Sequence, residues 1–256
     1  MTRHAAAFNE VAALYDEIRP GYSRETIEAI VARTDLSPGA RILEIGCGTG
    51  QITLPLAARG YAITALEPGD ALAALAARKC RPYPRVEIVP TSFEGWPLSA
   101  EAFDLVLAAQ AFHWIEPAYG CARAAAALRA GGGIALVWHL DVSQSTAFWQ
   151  ATQPIYDACL PPGAPGDPPL ADKVRWYEAA LRASPEWEDL REARWAWERV
   201  YAGADYLKLL NTFSDHRALP EPHRTTFFQA ITDTIERAGG EVRRRYETIL
   251  ITARKR

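Results

Sequence analysis

Apolar and polar positions alternate along residues 24–140 with two periods, one typical of helices and the other of buried strands. Continuous apolar runs predict five strands, over residues 40–46, 61–68, 86–90, 103–112 and 132–140. Apolar residues three and four apart predict helices between them, over residues 24–34, 51–60, 71–80 and 119–132. We therefore predict an α/β fold with a Rossmann-like, doubly wound and mostly parallel sheet. Such a sheet binds ligands at the C-terminal ends of its strands.

The pattern changes after residue 140, where aromatic residues become frequent. Residues 160–170 are rich in proline and glycine and predict a surface loop. We expect residues 141–187 to form a helical cap inserted over the ligand edge, and residues 188–256 to form closing strands and helices. In this single domain, residues 1–35 would be lid helices and residues 36–140 the cofactor-binding core. The tryptophans either line an apolar acceptor pocket or form the cap's own core: Trp149, Trp176, Trp187, Trp195 and Trp197.

Composition narrows the class of protein. The chain has 256 residues, 49% of them hydrophobic, and a net charge of -3, which is ordinary globular composition. This slightly acidic balance gives no electrostatic reason to expect nucleic acid or an anionic membrane as partner. The first residues lack the apolar core of a signal peptide and no run reaches membrane-spanning length, so we expect a cytoplasmic protein. The four cysteines show no metal-ligand spacing, and no metal site is predicted.

The stretch EIGCGTGQ, which follows the first predicted strand, carries the main chemical signal. Its glycines at alternate positions let the backbone approach a ligand closely, but their spacing differs from the G-x-G-x-x-G of dinucleotide sites. Glu44, two residues before the first glycine, would repel a pyrophosphate and attract an ammonium. S-adenosylmethionine carries an ammonium, so the charges favour it over a nicotinamide dinucleotide. Glu67 ends the second predicted strand, where a carboxylate can accept both ribose hydroxyls.

Four segments are similar to the successive motifs of class I S-adenosylmethionine-dependent methyltransferases: LEIGCGTG, LEP, TSFEGWP and FDLVLAAQAFHWI. The variety they resemble is the small-molecule group often labelled type 11, which includes trans-aconitate methyltransferase-like proteins. The opening FNEVAALYDEIRPGYS resembles the N-terminal segment of that group. The resemblance covers residues 8 to about 140, and the last strand region more loosely.

The resemblance implies a role for each matching position. The glycine turn would hold the methionine moiety through Gly46, Gly48, Thr49 and Gln51, with Glu44 near the amino group. Glu67 would accept the ribose hydroxyls, and the adenine would be bordered by Pro68, Phe93 and Glu94. Many relatives carry an aspartate where this chain has Ser92, so a backbone carbonyl or Glu94 would accept the hydrogen bond of the adenine amino group. The sulfonium side would be lined by Ala109 and Gln110, and the lid formed by Tyr15, Arg19 and Tyr22.

Methyl transfer is an in-line displacement in which the cofactor supplies the activated group, so positioning matters more than acid–base chemistry. His113 is the candidate base, because it follows the fourth strand at the ligand edge; alternatively, His113 and Trp114 only wall the cofactor pocket. Trp114 or Tyr15 is placed to face the sulfonium by cation–π attraction. His139, at the end of the fifth strand, either faces the acceptor or is a hydrogen-bonded wall residue.

The sequence thus favours a methyltransferase that acts on a small organic acceptor. Two other interpretations stay open. The first is a protein of the same fold that binds S-adenosylmethionine without catalysis. The second is a nicotinamide-dependent oxidoreductase, which the glycine spacing and Glu44 disfavour.

Overall fold

Seven strands form one sheet in the computed structural model, which describes residues 10–159 and 169–256. The strands are β1 (Arg41–Ile45), β2 (Ala62–Leu66), β3 (Val86–Val89), β4 (Phe103–Ala109), β5 (Leu128–Asp141), β6 (Trp187–Ala202) and β7 (Glu241–Lys255). Their order is β3-β2-β1-β4-β5-β7-β6, with β1 to β5 parallel and β7 antiparallel between β5 and β6. The predicted mostly parallel, doubly wound sheet is confirmed.

Helices cover both faces of the sheet. They are α1 (Ala12–Ile18), α2 (Arg24–Arg33), α3 (Thr53–Ala57), α4 (Asp70–Cys80), α5 (Pro117–Ala127), α6 (Ala147–Cys159), α7 (Leu170–Ala183), α8 (Gly203–Leu210), α9 (Ser214–Arg217) and α10 (His223–Arg237). A 3₁₀ turn, Phe112–Trp114, follows β4. Among the described residues, no helix combines the length and the apolar character needed to cross a membrane.

Two predicted helix boundaries were wrong. The helix predicted over 51–60 is the short α3, because the glycine turn continues to Ile52 and Gly60 ends the segment with a φ of 83°. The alanine-rich helix predicted over 119–132 ends at Ala127, because Leu128 already pairs with Phe103 at the start of β5 and is fully buried. The periodicity extended over both boundaries because alanine and leucine fit a helix and a buried strand alike.

Alternate residues of the parallel strands build two hydrophobic cores. Leu43 and Ile45 of β1 face the layer that contains α5 and α7, whereas Ile42 faces the layer that contains α2 and α3. Successive strand residues point to opposite faces. Glu44 therefore shares the face of Ile42, and its side chain points into the layer that contains α2 and α3.

Among the described residues of 141–187, two helices pack against different parts of the molecule. Helix α7 lies in a face layer of the sheet, where Val174, Tyr177 and Leu181 join the core of β5. It reaches the ligand edge through Tyr177, whose hydroxyl donates a hydrogen bond to the Ile115 carbonyl. Helix α6 packs against α10 instead. Of the predicted 160–170 loop, residues 160–168 lie outside the described residues.

The tryptophans after residue 140 are distributed over separate parts of the molecule. Trp187 is buried in the core of β5 and α7, and Trp195 packs against the opposite core. Trp149 stacks on Tyr156, whereas Trp176 is 50% exposed. Trp197 donates its indole N–H to the Thr248 hydroxyl and stacks on Tyr246. A third core, formed around β6, β7, α8 and α10, includes Ile18 of α1.

Candidate cofactor site

The candidate site lies where the strand order reverses, at the C-terminal ends of β1 and β4. Gly46 and Cys47 continue β1 as a turn whose N–H groups donate to the Leu66 carbonyl at 2.8 and 3.0 Å. These bonds hold the glycine turn against the end of β2, so that the acids Glu44 and Glu67 lie on either side of it.

All three glycines of this turn have a positive φ, a conformation that other residues rarely adopt. Gly46 and Gly48 have φ values of 68° and 58°. A Cβ on Gly46 would lie 2.5 Å from the Cβ of Ala111, the first residue beyond Gln110 at the end of β4. A side chain at Gly46 would therefore clash with Ala111. A Cβ on Gly48 would instead lie 3.6 Å from the Tyr15 ring.

Glu44 is a buried carboxyl group without a hydrogen-bond partner. It is 1% exposed, and neither carboxyl oxygen is hydrogen-bonded within residues 10–159 and 169–256. Burial raises its pKa to about 8; the Thr53 hydroxyl lowers the pKa in part but lies outside hydrogen-bonding geometry. A buried carboxylate needs a cation or several donors to be stable. An ammonium seated here would supply both.

Glu67 is a buried acid whose orientation is fixed by the backbone. Its two carboxyl oxygens accept the N–H groups of Gly48 at 2.9 Å and Gly69 at 2.8 Å. Burial raises its pKa, and these two hydrogen bonds offset that rise in part. Each carboxylate oxygen can accept a second hydrogen bond, so the group remains able to receive two hydroxyls. The ribose role of Glu67 stays a prediction.

Helix α1 lies over the glycine turn and is fastened to it. Asp16 accepts a hydrogen bond from the Thr49 hydroxyl at 2.7 Å and forms an ion pair with Lys79 of α4. Gln51 donates to the same Thr49 hydroxyl at 2.7 Å. Tyr15, the residue before Asp16, covers Gly48. The segment predicted to be a lid is thus joined to the turn by a hydrogen bond.

The other two predicted lid residues contact different elements. Arg19 donates through Nε and Nη2 to the hydroxyl and carbonyl of Thr212, at 2.8 and 2.9 Å, and its guanidinium carbon lies 4.5 Å from the Phe213 ring centroid. Tyr22 stacks on His139 with 4.6 Å between ring centroids. Arg19 therefore joins α1 to the region after α8, and Tyr22 joins it to β5.

His139 is a neutral, fully hydrogen-bonded wall residue. Its Nε2 lies 3.1 Å from the Gly21 carbonyl, which can only accept, so Nε2 carries the proton. Nδ1 then accepts from the Thr248 hydroxyl at 2.8 Å, and that hydroxyl accepts from the Trp197 indole N–H at 2.8 Å. Burial lowers the His139 pKa to about 4. The chain of bonds fixes residues 21 and 22 against β5.

Gln110 and Ala109 end β4 beside the glycine turn. Gln110 has a φ of 57°, unusual for a residue with a side chain, and such strain concentrates at functional sites. Its Nε2 donates to the His139 carbonyl at 3.2 Å, while its buried Oε1 has no hydrogen-bond partner in the described part of the chain. The Gln110 side chain thus leaves an acceptor available at the predicted sulfonium side.

The remaining predicted residues are divided between site and core. His113 and Trp114 are half-buried on the 3₁₀ turn, with ring centroids 4.7 Å apart, and Lys173 lies 5.7 Å from the Trp114 ring. Pro68 is half-buried and Glu94 is exposed. The Phe93 ring is fully buried in the hydrophobic core, so only its backbone can border a ligand. The Ser92 hydroxyl accepts the Gly95 N–H at 3.2 Å.

These residues fit S-adenosylmethionine. The partnerless Glu44 carboxyl suits its ammonium, and the Glu67 carboxyl, oriented by two backbone N–H groups, suits its ribose. A seven-stranded sheet with an antiparallel β7 between β5 and β6 and this turn after β1 is the class I methyltransferase fold. Residues 42–132 match the methyltransferase domain family. Residues 42–132 thus form a methyltransferase domain of the class I fold, and S-adenosylmethionine is the cofactor that this domain and the site residues support.

The chain is similar to several proteins in sequence or in fold. An uncharacterized methyltransferase of Mycobacterium tuberculosis is 33% identical over 134 residues, which are 52% of this chain and 52% of the relative. The structure of a putative type II methyltransferase from Anaeromyxobacter dehalogenans has a TM-score of 0.63 at 21% identity, over 92% of this chain and 97% of that one.

A phosphoethanolamine N-methyltransferase of Haemonchus contortus, in complex with phosphomonomethylethanolamine and S-adenosylhomocysteine, has a TM-score of 0.57 at 12% identity. The match extends over 96% of this chain and 57% of the Haemonchus contortus chain. The chain spans about half the length of the first curated relatives it matches. These matches do not assign the chain to the trans-aconitate methyltransferase-like subtype.

Sequence reasoning missed Asp16, Lys79, Thr53 and Arg244. Asp16 and Lys79 are 63 residues apart, and no local pattern links them. Thr53 follows the glycine turn and was assigned only to its helix. Arg244 is different, because a signal for it existed: in the run RRR at 243–245, the strand period of two places only the middle arginine on the buried face.

Proposed function

We propose that this protein transfers a methyl group from S-adenosylmethionine to a small organic acceptor by in-line displacement. The observation that carries the proposal is the buried Glu44 carboxyl group, which has no hydrogen-bond partner in the described residues and lies beside the glycine turn. Its environment favours a ligand with an ammonium, which would stabilise the carboxylate form that burial alone disfavours. Bound S-adenosylmethionine supplies an activated methyl group on a sulfonium.

The protein's own part in this reaction is positioning. Glu44 would bind the ammonium, and Glu67, already oriented by two backbone N–H groups, would bind the ribose hydroxyls. Helix α1, held by Asp16 and Tyr15 over the turn, would exclude water from the methyl group. Well-aligned reactants can save about 7–11 kcal/mol of barrier, which is the main contribution that a methyltransferase needs.

His113 is our candidate for the proton acceptor. It stands on the turn after β4, at the edge where acceptor and cofactor would meet. The Tyr177 hydrogen bond to Ile115 and the contact with Trp114 hold this turn in place. If the acceptor nucleophile is a hydroxyl or a carboxylic acid, the His113 imidazole would take its proton. An acceptor that is already deprotonated needs no base, and His113 would then only shape the pocket.

Two assays test the proposal. Calorimetric titration with S-adenosylmethionine, S-adenosylhomocysteine and NAD should show micromolar affinity for the two adenosyl ligands and none for NAD. A transfer screen with methyl-labelled S-adenosylmethionine over pooled metabolites should then label an acceptor. Binding of the adenosyl ligands without any labelled product would indicate a silent binding protein. Binding of NAD in their place would contradict the proposal and favour an oxidoreductase.

A further inference from the structure

Strand β6 is an edge of the sheet and is paired on one side only. It has 16 residues, whereas β3 at the other edge has 4. Its inner side pairs with β7, and within the described parts of the chain no backbone hydrogen bond joins residues 191–201 to any other element. A row of N–H and C=O groups without partners is a template for another strand. The outer edge of β6 is therefore a surface on which a further strand can pair.

This outer edge is regular over residues 191–201 and ends at a defined point on each side. Asp189 has a φ of 52°, and the register with β7 shifts just before Arg191. At the other end the strand turns into helix α8. Full antiparallel overlap of two such edges, related by a two-fold axis, places their midpoints opposite each other. The midpoint of residues 191–201 is Ala196, a small and exposed residue.

The charges on this edge are self-complementary about Ala196. Alternate residues of a strand share one face, so a two-fold axis at Ala196 places Arg194 opposite Glu198 of the second copy, and symmetry repeats the pair. Moving the axis to the preceding residue would instead place Glu192 opposite Glu198, which are like charges. Moving it to the following residue would leave Arg194 opposite Val200. Overlap and charge therefore select the same register.

Neighbouring charges on the same face extend this match. Arg194 forms ion pairs with two glutamates, at 2.5 and 2.7 Å, so this group of three has a net negative charge. Glu198 forms ion pairs with Arg243 and Arg245, at 3.0 and 2.9 Å, so this second group has a net positive charge. Across the two-fold axis each negative group faces the positive group of the other copy. Complementary patches of this kind steer association and fix its register.

We propose that the outer edge of β6 pairs antiparallel with the same edge of a second copy, so that the protein forms a two-fold dimer with one continuous sheet. The inference does not depend on the methyl-transfer function. Assembly stops at the dimer, because β3 is too short to offer a second edge of this kind. The alternative is that the charged side chains only prevent the edge from pairing, as they do on many edge strands.

Sedimentation velocity over a series of protein concentrations measures the Kd of the dimer. We expect a wild-type Kd of about 1–100 μM, as for a small interface, and no species larger than the dimer. Sedimentation as a monomer up to about 1 mM would overturn the inference. Far-UV circular dichroism and urea denaturation establish that each variant below is folded.

Two variants of Val200 test the register. Val200 is 45% exposed and would lie opposite Glu192 of the second copy. Val200→Lys should therefore lower the dimer Kd about threefold or more, and Val200→Glu should raise it by a similar factor. Within one copy Val200 lies opposite Arg243, so Val200→Glu should be the more resistant to urea although it dimerises less. A Kd that moves in the same direction in both variants, or in neither, would overturn the inference.

Ala196→Lys tests the position of the axis. The new ammonium would lie opposite Glu247 of its own copy, which keeps the fold stable, but two like charges would meet at the axis. The dimer Kd should rise at least about tenfold. Glu87→Lys, an exposed position on the other edge strand β3, is the matched control and should keep the wild-type Kd. A Kd unchanged in Ala196→Lys, or raised equally in Glu87→Lys, would overturn the inference.

Discussion

The Cβ of Ala111 lies 2.5 Å from the point where a Cβ on Gly46 would stand. The end of β4 thus closes on the glycine turn so tightly that one methyl group cannot be added. Gly46→Ala combines this clash with a φ of 68°, and we expect it to lower the free energy of unfolding by about 3 kcal/mol. Urea denaturation measures the loss.

The double variant Gly46→Ala/Ala111→Gly separates the two causes. It removes the clash but keeps the unfavourable φ, so about half of the lost stability should return. No recovery at all would mean that Ala111 does not limit the space at Gly46.

Asp16 should control how long the lid stays closed. Asp16→Ala removes the acceptor of the buried Thr49 hydroxyl and the ion pair with Lys79. Both side chains of that ion pair are about a quarter exposed, so stability should fall by only about 1 kcal/mol. Dissociation of S-adenosylhomocysteine, followed by stopped flow, should be about three- to tenfold faster. Glu17→Ala is the control, because Glu17 lies on the same helix as Asp16 and forms an exposed ion pair with Lys208. S-adenosylhomocysteine should dissociate from this variant at the wild-type rate.

His139 should make the protein sensitive to acid. Its folded pKa of about 4 lies below the ordinary value of 6.5, so the unfolded chain binds more protons between these values. The contribution of His139 to the free energy of unfolding is fully present above pH 6.5. It falls as the pH drops toward 4, by about 3 kcal/mol in total. Urea denaturation across this pH range measures the fall.

His139→Phe provides the control, because it keeps an aromatic ring against Tyr22 but has no proton to gain. At neutral pH the variant should be about 2 kcal/mol less stable, since Thr248 and the Gly21 carbonyl lose their partner. Its stability should then change less between pH 6.5 and 4 than that of the wild type. An equally steep fall in both proteins would assign the acid sensitivity to other groups.

His113→Ala tests the candidate base. If the imidazole takes a proton from the acceptor, kcat on an identified acceptor should fall by at least about 10²-fold while S-adenosylhomocysteine affinity is unchanged. Trp114→Phe, which keeps an aromatic ring beside position 113, should retain most of the turnover. Near-normal kcat in His113→Ala would leave His113 a wall residue only.

Local patterns predicted the parallel sheet and singled out the two candidate acids for a physical reason. A strand buried on both faces must be apolar along its length, and an acid at its end is conspicuous for that reason. Contacts between distant segments leave no such trace. His139 and Thr248 are 109 residues apart, and Asp16 and Lys79 are 63 apart, so only folding brings them together. The sequence pattern does not reveal the position of α7 either, because a helix that packs beside α5 has the same amphipathic pattern as a cap helix.

The pKa of Glu44 predicts how stability depends on pH and how many protons ligand binding releases. With a folded pKa of about 8, against 4.5 ordinarily, its carboxyl is mostly protonated at neutral pH in the ligand-free protein. The folded state then binds the extra proton, so ligand-free stability should fall as the pH rises from 4.5 through 8, by roughly 4–5 kcal/mol in all. An ammonium replaces that proton, so ligand binding at pH 7 should release about one proton, measurable from the buffer dependence of the binding enthalpy.

Calorimetric titration of S-adenosylhomocysteine into the wild type and Glu44→Gln at pH 7 tests the central claim most directly. Glu87→Gln, which changes an exposed acid on β3, serves as the control. We predict micromolar affinity for the wild type and the control. We predict affinity at least about 30-fold weaker for Glu44→Gln, without proton release. Equal affinity in all three proteins would contradict the assignment of Glu44 to the ammonium of the cofactor.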